Sequence, residues 1–511
     1  MPTRAQALGL AIASGILLAL SFPKFGHPAI AWIALTPLLI AMTGRLSTLR
    51  AFALGLLTGG IYLAGTLYWL STVMSHYGDI NIAGAVAINA AFIAYLALYP
   101  ALFAVVMRRL TSVFGVSAFA VAPFVWTATE LGRMYVFTGF PWVLLGYSQS
   151  TVLPIAQAAS VAGVFGVSAL VVSVSAALAG VVVARAWKPA AIVIACVLLV
   201  AVWGNARAKG AQLTREGQPL RVGIVQPNVP EEEREAPGRG PEILQREISL
   251  IRQVAAEKLG LIVLPESSLP PIEEYPDVAR SVRQTVRETG APTLLGSDQY
   301  EWRVANGRRA VDKSFNAAFM LRADGTTAAV YRKMHLVPWG EYVPLKRWLT
   351  FVGPLVQAIG SGFDAGDTMT LLPVGQHQVS TAICYEIIYP EMVRQSVVLG
   401  SELLTTITND SWFGPSSAPY QHFEQAAMRA IEEGRYLVRS ANTGVSGIVD
   451  PYGHVIARTD IFHPAAIAGD VRLLTGRTPY SLVGDVFAYA SAILTAALLL
   501  MASRARLTTG D

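Results

Sequence analysis

Charge is what this 511-residue chain has least of: 14% of its residues are Asp, Glu, Lys or Arg, against about 25% in an ordinary soluble domain. Sulfur and imidazole are also scarce, with two cysteines and seven histidines. Two cysteines exclude a disulfide framework, and Cys196 lies inside an apolar span where it cannot pair with Cys384. Cys196 is expected to be a small buried apolar residue. No dense His/Cys cluster offers itself to a metal, so neither metal nor other cofactor is expected.

The shortage of charge is local. Residues 205–483 carry 28 Lys+Arg and 30 Asp+Glu, whereas the rest carries 11 and 4. The net charge of +5 therefore belongs to the apolar part and implies no nucleic-acid surface.

What the chain has in abundance is apolar sequence in lengths suited to a bilayer, about 20 residues each. Candidate spans fall at 6–22, 28–43, 51–73, 81–106, 115–134, 161–184, 189–204 and 484–503. If they alternate, Arg4, Arg45, Arg50, Arg108, Arg109, Arg185, Lys188, Arg504 and Arg506 share one side, and Lys24 and Arg133 lie toward the other. That bias predicts cytoplasmic termini and an outer, periplasmic location for 205–483 in a bacterial inner membrane. The expected domains are 1–204 (membrane), 205–483 (polar) and 484–511 (last span and tail). The outward segment 135–160 is rich in aromatics, which suits either an interfacial belt or a platform beneath the polar domain. Glu130 and Arg133, at the end of the fifth span, are expected to pair.

Within 205–483, strand patterns at 220–228, 261–265, 292–297, 314–321, 326–331, 379–384, 403–408 and 437–449 alternate with helix patterns at 241–258, 276–289, 390–399 and 420–434. Asp324-Gly325 reads as a hairpin turn, and Asp450-Pro-Tyr-Gly453 as another. This mixture predicts helices covering both faces of a sheet core. Residues 334–370 show little strand signal and several large apolar side chains, which suggests a membrane-facing arm.

Three residues stand at strand ends: Glu266 in Leu261-Ile-Val-Leu-Pro-Glu266, Lys333 in Val330-Tyr-Arg-Lys333, and Cys384 in Ser380-Thr-Ala-Ile-Cys-Tyr-Glu386. A Glu can take a thiol proton, a Cys can attack a carbonyl, and a Lys can steady the oxyanion that results. Taken singly, each is ordinary: a surface acid, a solvated base, a buried filler. In this order, each after its own strand, they form the constellation of the nitrilase superfamily.

Further motifs narrow the resemblance. Leu264-Pro-Glu-Ser267, Tyr331-Arg-Lys-Met-His-Leu-Val-Pro-Trp-Gly-Glu-Tyr-Val-Pro344, Ile383-Cys-Tyr-Glu386, Thr408-Asn-Asp-Ser-Trp-Phe413, Thr138-Gly-Phe-Pro-Trp142 and Gly146-Tyr-Ser-Gln149 resemble those of bacterial apolipoprotein N-acyltransferases. The resemblance spans essentially the whole chain. It implies an αββα sandwich on an eight-helix membrane domain. It implies acyl transfer from a phospholipid donor to the α-amino group of the lipid-modified N-terminal cysteine of an apolipoprotein, in contact with the bilayer. It places the family's triad on Glu266, Lys333 and Cys384, with support from Glu341, Tyr385 and Glu386. One departure is visible: some members carry a Trp soon after Gln-x-Asn, but here Gln226-Pro-Asn-Val-Pro230 runs into Glu231. Trp339, Trp348, Phe351, Leu355, Trp412 and Phe413 are candidate lipid contacts. His335 is expected to be a loop hydrogen-bonder and not a base. The rival reading is a membrane-tethered amidase using the same three residues with water as acceptor.

Overall fold

The computed structural model describes residues 2–78, 80–305, 308–342 and 362–509. Its first part is a bundle of apolar helices: α1 (Arg4–Ala19), α2 (Pro28–Ala34), α3 (Thr36–Ala41), α4 (Thr48–Leu67), α5 (Trp69–Tyr77), α6 (Ile82–Phe114), α7 (Ala122–Tyr135), α8 (Ala159–Ala184) and α9 (Trp187–Gly210). Four start at side-chain caps, on Thr3, His27, Ser47 and Asn81, which satisfy backbone N–H groups that have no partner inside the helix.

With the helix Val486–Thr509, helices occupy all eight places expected from the apolar pattern. Among the described residues, five segments are long and apolar enough to cross a membrane, with Arg4–Ala19 and Pro28–Ala41 shorter.

Two expected spans are broken. The 28–43 span divides at Leu35 because Pro37, in the first turn of α3, has no N–H to continue the ladder of α2. The 51–73 span divides at Tyr68, where Thr66 Oγ1 donates to Tyr62 O and Trp69 Nε1 donates to Thr66 O. α4 and α6 approach closely through small residues. A Cβ at Gly55 would lie 2.6 Å from Ala104 Cβ and from Pro100 O, so van der Waals contact here depends on the missing side chain.

Cys196 is exposed on α9, not buried as expected. It shares an outward apolar surface with Ile192, Leu198 and Leu199, which suits a lipid-facing helix. Glu130 and Arg133 form no ion pair within 4 Å; Glu130 Oε1 accepts from Leu145 N at 2.7 Å, and Arg133 Nη2 donates to Val143 O at 3.2 Å. Both side chains are spent on holding the 143–145 backbone.

The polar region is a sandwich of two six-stranded sheets among the described residues, ordered β12-β1-β2-β3-β4-β5 and β11-β10-β9-β8-β7-β6. The first comprises β1 (Gln218–Gln226), β2 (Leu261–Val263), β3 (Thr293–Ala305), β4 (Arg308–Leu321), β5 (Thr327–Arg332) and β12 (Ala465–Leu473). The second comprises β6 (Leu372–Val374), β7 (His377–Ile383), β8 (Leu403–Thr408), β9 (Leu437–Ala441), β10 (Gly447–Val449) and β11 (Val455–Arg458). Val222, Ile224, Val263 and Met320 of one sheet meet Val379, Ile383, Ile407 and Val438 of the other in a single apolar layer.

Helices α10 (Gly240–Ala255) and α11 (Pro276–Thr289) cover the first sheet; α12 (Pro390–Val398) and α13 (Ala418–Glu433) lie outside the second. The result is an αββα sandwich joined to a helical membrane region. The apolar cluster that includes Phe423, Met428 and Ile431 of α13 is continuous with that of the membrane helices, through Trp142, Tyr147 and Val164.

β3 and β4 run well past the expected 292–297 and 314–321, forming a long antiparallel ribbon. β12 was not expected: its Ala- and Gly-rich sequence has weak strand propensity. The Asp324-Gly325 turn does join β4 to β5, with Gly325 at φ +78°.

Candidate active site

Cys384 follows β7 directly, at φ +51°. A non-glycine residue pays for this conformation, and the sharp turn lifts the thiol out of the strand line. Glu266 follows β2 through Leu264-Pro265 and is buried. Its neighbour strand must pass very close: a Cβ at Gly296 would lie 2.5 Å from Pro265 O and 2.6 Å from Glu266 Cα. Lys333 follows β5 and is 1% exposed.

The structure brings Glu266, Lys333 and Glu341 together. Lys333 Nζ lies 3.2 Å from Glu266 Oε1 and 2.8 Å from Glu341 Oε1. Asn316 of β4 donates through Nδ2 to the same two oxygens, at 2.7 and 3.1 Å. Glu266 Oε2 accepts from Asn409 N at 2.8 Å, and Glu341 Oε2 from Val337 N at 2.7 Å.

Burial works against a charge on Lys333, but Glu266 and Glu341 outweigh it and hold the ammonium well above its ordinary range. Burial pushes the Cys384 thiol up, Glu266 pushes it further, and Lys333 opposes both. The resting site therefore pairs a charged lysine with a neutral thiol.

Glu386 does not point into this cluster. It accepts from Tyr331 OH at 2.9 Å, Met334 N at 2.7 Å, His335 N at 3.1 Å and Ile383 N at 2.7 Å. It thereby ties the turn after Lys333 to the turn before Cys384. Burial pushes its carboxyl up to about 7, with those backbone donors and Lys333 pulling the other way. Four donors around two oxygens describe a carboxylate.

Tyr385 and Tyr389 reach the membrane region. Their hydroxyls lie 3.3 and 3.0 Å from Gly139 O, which accepts, and the Phe140 ring stands 6.3 Å from that of Tyr385. The aromatic 138–149 segment is thus a platform under the sandwich: Trp142 is 2% exposed and donates to Gln421 Oε1 at 2.8 Å.

His335 stacks on Tyr389 at 4.0 Å, and burial beside Lys333 lowers it to about 4, so it remains neutral. Phe413 packs on Trp69 at 4.9 Å as part of the platform. Trp412 is exposed, its ring centroid 4.8 Å from that of Tyr77 in an edge-to-face arrangement. Trp339 is exposed at φ +65°. Trp348, Phe351 and Leu355 lie outside the described residues. Among the described residues no group of three or more His, Cys, Asp and Glu is arranged to hold a metal.

Sequence reasoning missed Asn316, Asn409 and His422 as parts of this site. Asn316 did carry a signal, being a lone amide in the apolar stretch Phe315-Asn-Ala-Ala-Phe319.

Residues 14–177 match the model of the apolipoprotein N-acyltransferase N-terminal domain, and 221–475 that of carbon-nitrogen hydrolases. The chain is 38% identical over 508 residues to an apolipoprotein N-acyltransferase of Geobacter metallireducens, covering 97% of this chain and 95% of that one. Proteins of the same name from Methylococcus capsulatus and Pasteurella multocida are 34% and 33% identical, over 94% and 96% of this chain. Among solved structures, an amidase from Nesterenkonia sp. superposes with a TM-score of 0.37 at 19% identity, over 52% of this chain and 95% of its own. With both halves matched and relatives aligned almost end to end, the chain belongs to the apolipoprotein N-acyltransferase family.

Proposed function

We propose that this protein transfers a fatty acyl chain from a membrane phospholipid to the α-amino group of the diacylglyceryl cysteine of an apolipoprotein, through a thioester on Cys384. The observation that carries this reading is the buried Lys333–Glu266–Glu341 cluster beside a left-handed Cys384, on the face of the sandwich that meets the membrane platform.

In the first half-reaction Glu266 takes the thiol proton as sulfur attacks the ester carbonyl. Lys333 and the Tyr385 N–H stabilise the oxyanion. The C–O bond breaks, and the lysophospholipid oxygen leaves with the proton from Glu266. In the second, the acceptor amine attacks the thioester, Glu266 accepts the amine proton, and the Cys384 thiol is restored. Glu341 and Asn316 hold Lys333 and Glu266 in register, and Glu386 holds the two loops together. The sandwich lies on the periplasmic side with both termini cytoplasmic; most of the expected arm at 334–370 lies outside the described residues.

Intact mass measurement after incubation with phosphatidylethanolamine tests the reading. Wild-type protein gains one acyl group on Cys384, and Cys384→Ser neither keeps a thioester nor transfers acyl. Lys333→Ala slows adduct formation about 10²–10³-fold, the usual cost of one oxyanion donor. Undiminished transfer by Cys384→Ser overturns the mechanism. Adduct turnover to water as fast as to a diacylglyceryl peptide amine favours the amidase alternative.

A further inference from the structure

Beneath the nucleophile lies a buried trio that none of these steps uses. His422 of α13, Asp410 after β8 and Arg439 of β9 are each 0% exposed. His422 Nε2 stands 3.1 Å from Cys384 O. A carbonyl only accepts, so Nε2 carries the hydrogen. On the other side of the ring, Nδ1 faces Arg439 Nη2 at 3.0 Å and Asp410 Oδ1 at 3.1 Å. Arg439 Nη2 also donates to Asp410 Oδ2 at 2.8 Å, and Thr408 Oγ1 to Asp410 Oδ1 at 2.9 Å. The Trp142 and Phe413 rings stand 5.3 and 6.2 Å away.

Burial and Arg439 hold His422 below its usual range; burial opposes a charge on Asp410, yet Arg439 and His422 keep it down at about 2. The neutral ring accepts at Nδ1 from Arg439. A protonated ring would donate from Nδ1 to Asp410. In both states Nε2–H still donates to Cys384 O.

That carbonyl shares a planar trans peptide with the Tyr385 N–H, and the two point in opposite directions. Anchoring one end of the plane aims the other. Cys384 needs such an anchor, because its left-handed φ of +51° is not a conformation the backbone holds cheaply. We propose that His422 is a positioning residue that clamps the Cys384–Tyr385 peptide plane and so aims the Tyr385 N–H at the oxyanion. This rests on Cys384 being the nucleophile of an acyl transfer.

The test separates oxyanion stabilisation from mere support of the nucleophile. Alkylation of Cys384 by iodoacetamide forms no oxyanion, whereas acylation by phosphatidylethanolamine in detergent micelles does. Both rates are followed at the Cys384 peptide by mass spectrometry. His422→Gln keeps an N–H donor at about the reach of Nε2; the amide of His422→Asn stops one methylene short. Expected are acylation slowed about 10²–10³-fold in His422→Asn, acylation within about tenfold of wild type in His422→Gln, and alkylation changed less than about threefold in both. Equal acylation losses in the two variants overturn the proposal, as does alkylation falling in step with acylation. Failure of the wild type itself to acylate at Cys384 overturns the acyl-transfer reading; a wild type that acylates while the variants do not split overturns this inference alone.

Discussion

Two helix layers flank the sandwich, and they do different work. Among the fourteen residues of α11, three are buried, enough for one apolar stripe on the sheet, and its charged side chains stay at or near the surface. Among the sixteen of α13, fourteen are buried, so its polar side chains must all find partners inside the protein. Gln421, Arg429 and Glu432 do so at the seam with the membrane region, whereas neither amide atom of Gln425 has a hydrogen-bond partner among the described residues. Gln421 donates to Pro23 O and Thr66 O at 3.2 Å, Arg429 donates to Tyr147 OH at 2.9 Å, and Glu432 accepts from Val164 N at 2.8 Å. The outer layer stabilises the fold by apolar burial, while the inner layer makes the catalytic and membrane parts one body. A polar residue on an amphipathic helix is thus no guide to exposure when a second domain covers that face.

The largest expected effect breaks the inner layer. Arg429 and Glu432 are fully buried, with Nε and Oε2 2.9 Å apart. Removing one partner of such a pair strands the other's charge and costs about 3–5 kcal/mol. Arg429→Leu should show this as a loss of thermal stability that also lowers acylation, since α13 carries His422. A stability near wild type would mean the seam is loosely packed.

The outer layer has one exception that sharpens the comparison. Glu247 of α10 is buried, and burial raises its pKa to about 8 with Arg234 and Arg246 opposing. Its folded-state pKa lies above its unfolded value. Glu247's contribution to stability is therefore greatest at low pH and is lost as pH rises between about 4.5 and 8. Glu247→Gln should flatten this segment of the Tm-against-pH curve; an unchanged slope would place the pH dependence elsewhere.

A smaller effect is expected for Tyr389→Phe, which deletes the hydroxyl donating to Gly139 O at 3.0 Å. One neutral hydrogen bond is worth about 1 kcal/mol, read as a modest drop in Tm. Smallest is Arg280→Ala on α11, whose exposed ion pair with Asp277 should change stability by less than about 0.5 kcal/mol. A cost there comparable to Arg429→Leu would erase the difference between the layers.

The same contrast explains what could be read in advance. Helix 276–289 was legible to the residue because its apolar positions repeat on one face and its surroundings are water. The strand-end places of Glu266, Lys333 and Cys384 were legible because each closes an apolar run inside a motif. His422, Asp410 and Arg439 drew no functional reading, since their use depends on a fold that joins α13 to β7 and β9. β12 was hidden by Ala465-Ala-Ile-Ala-Gly469, a run that becomes a strand only because β1 offers it an edge. Cys196 was misjudged because an apolar span was read as a buried one, although a single span has a lipid face too.

That edge also sets an order of events during synthesis. Gln218 of β1 pairs with Leu473 of β12 along a nine-residue antiparallel register, so the first strand of the sandwich receives its outer partner last. A ribosome that has made residue 460 has supplied every other strand and still left β1 with a bare backbone edge. The sandwich closes at Leu473, before α14 (Val486–Thr509) is made. A nascent chain arrested between 459 and 464 should therefore remain protease-sensitive at β1, and one released past 473 should not.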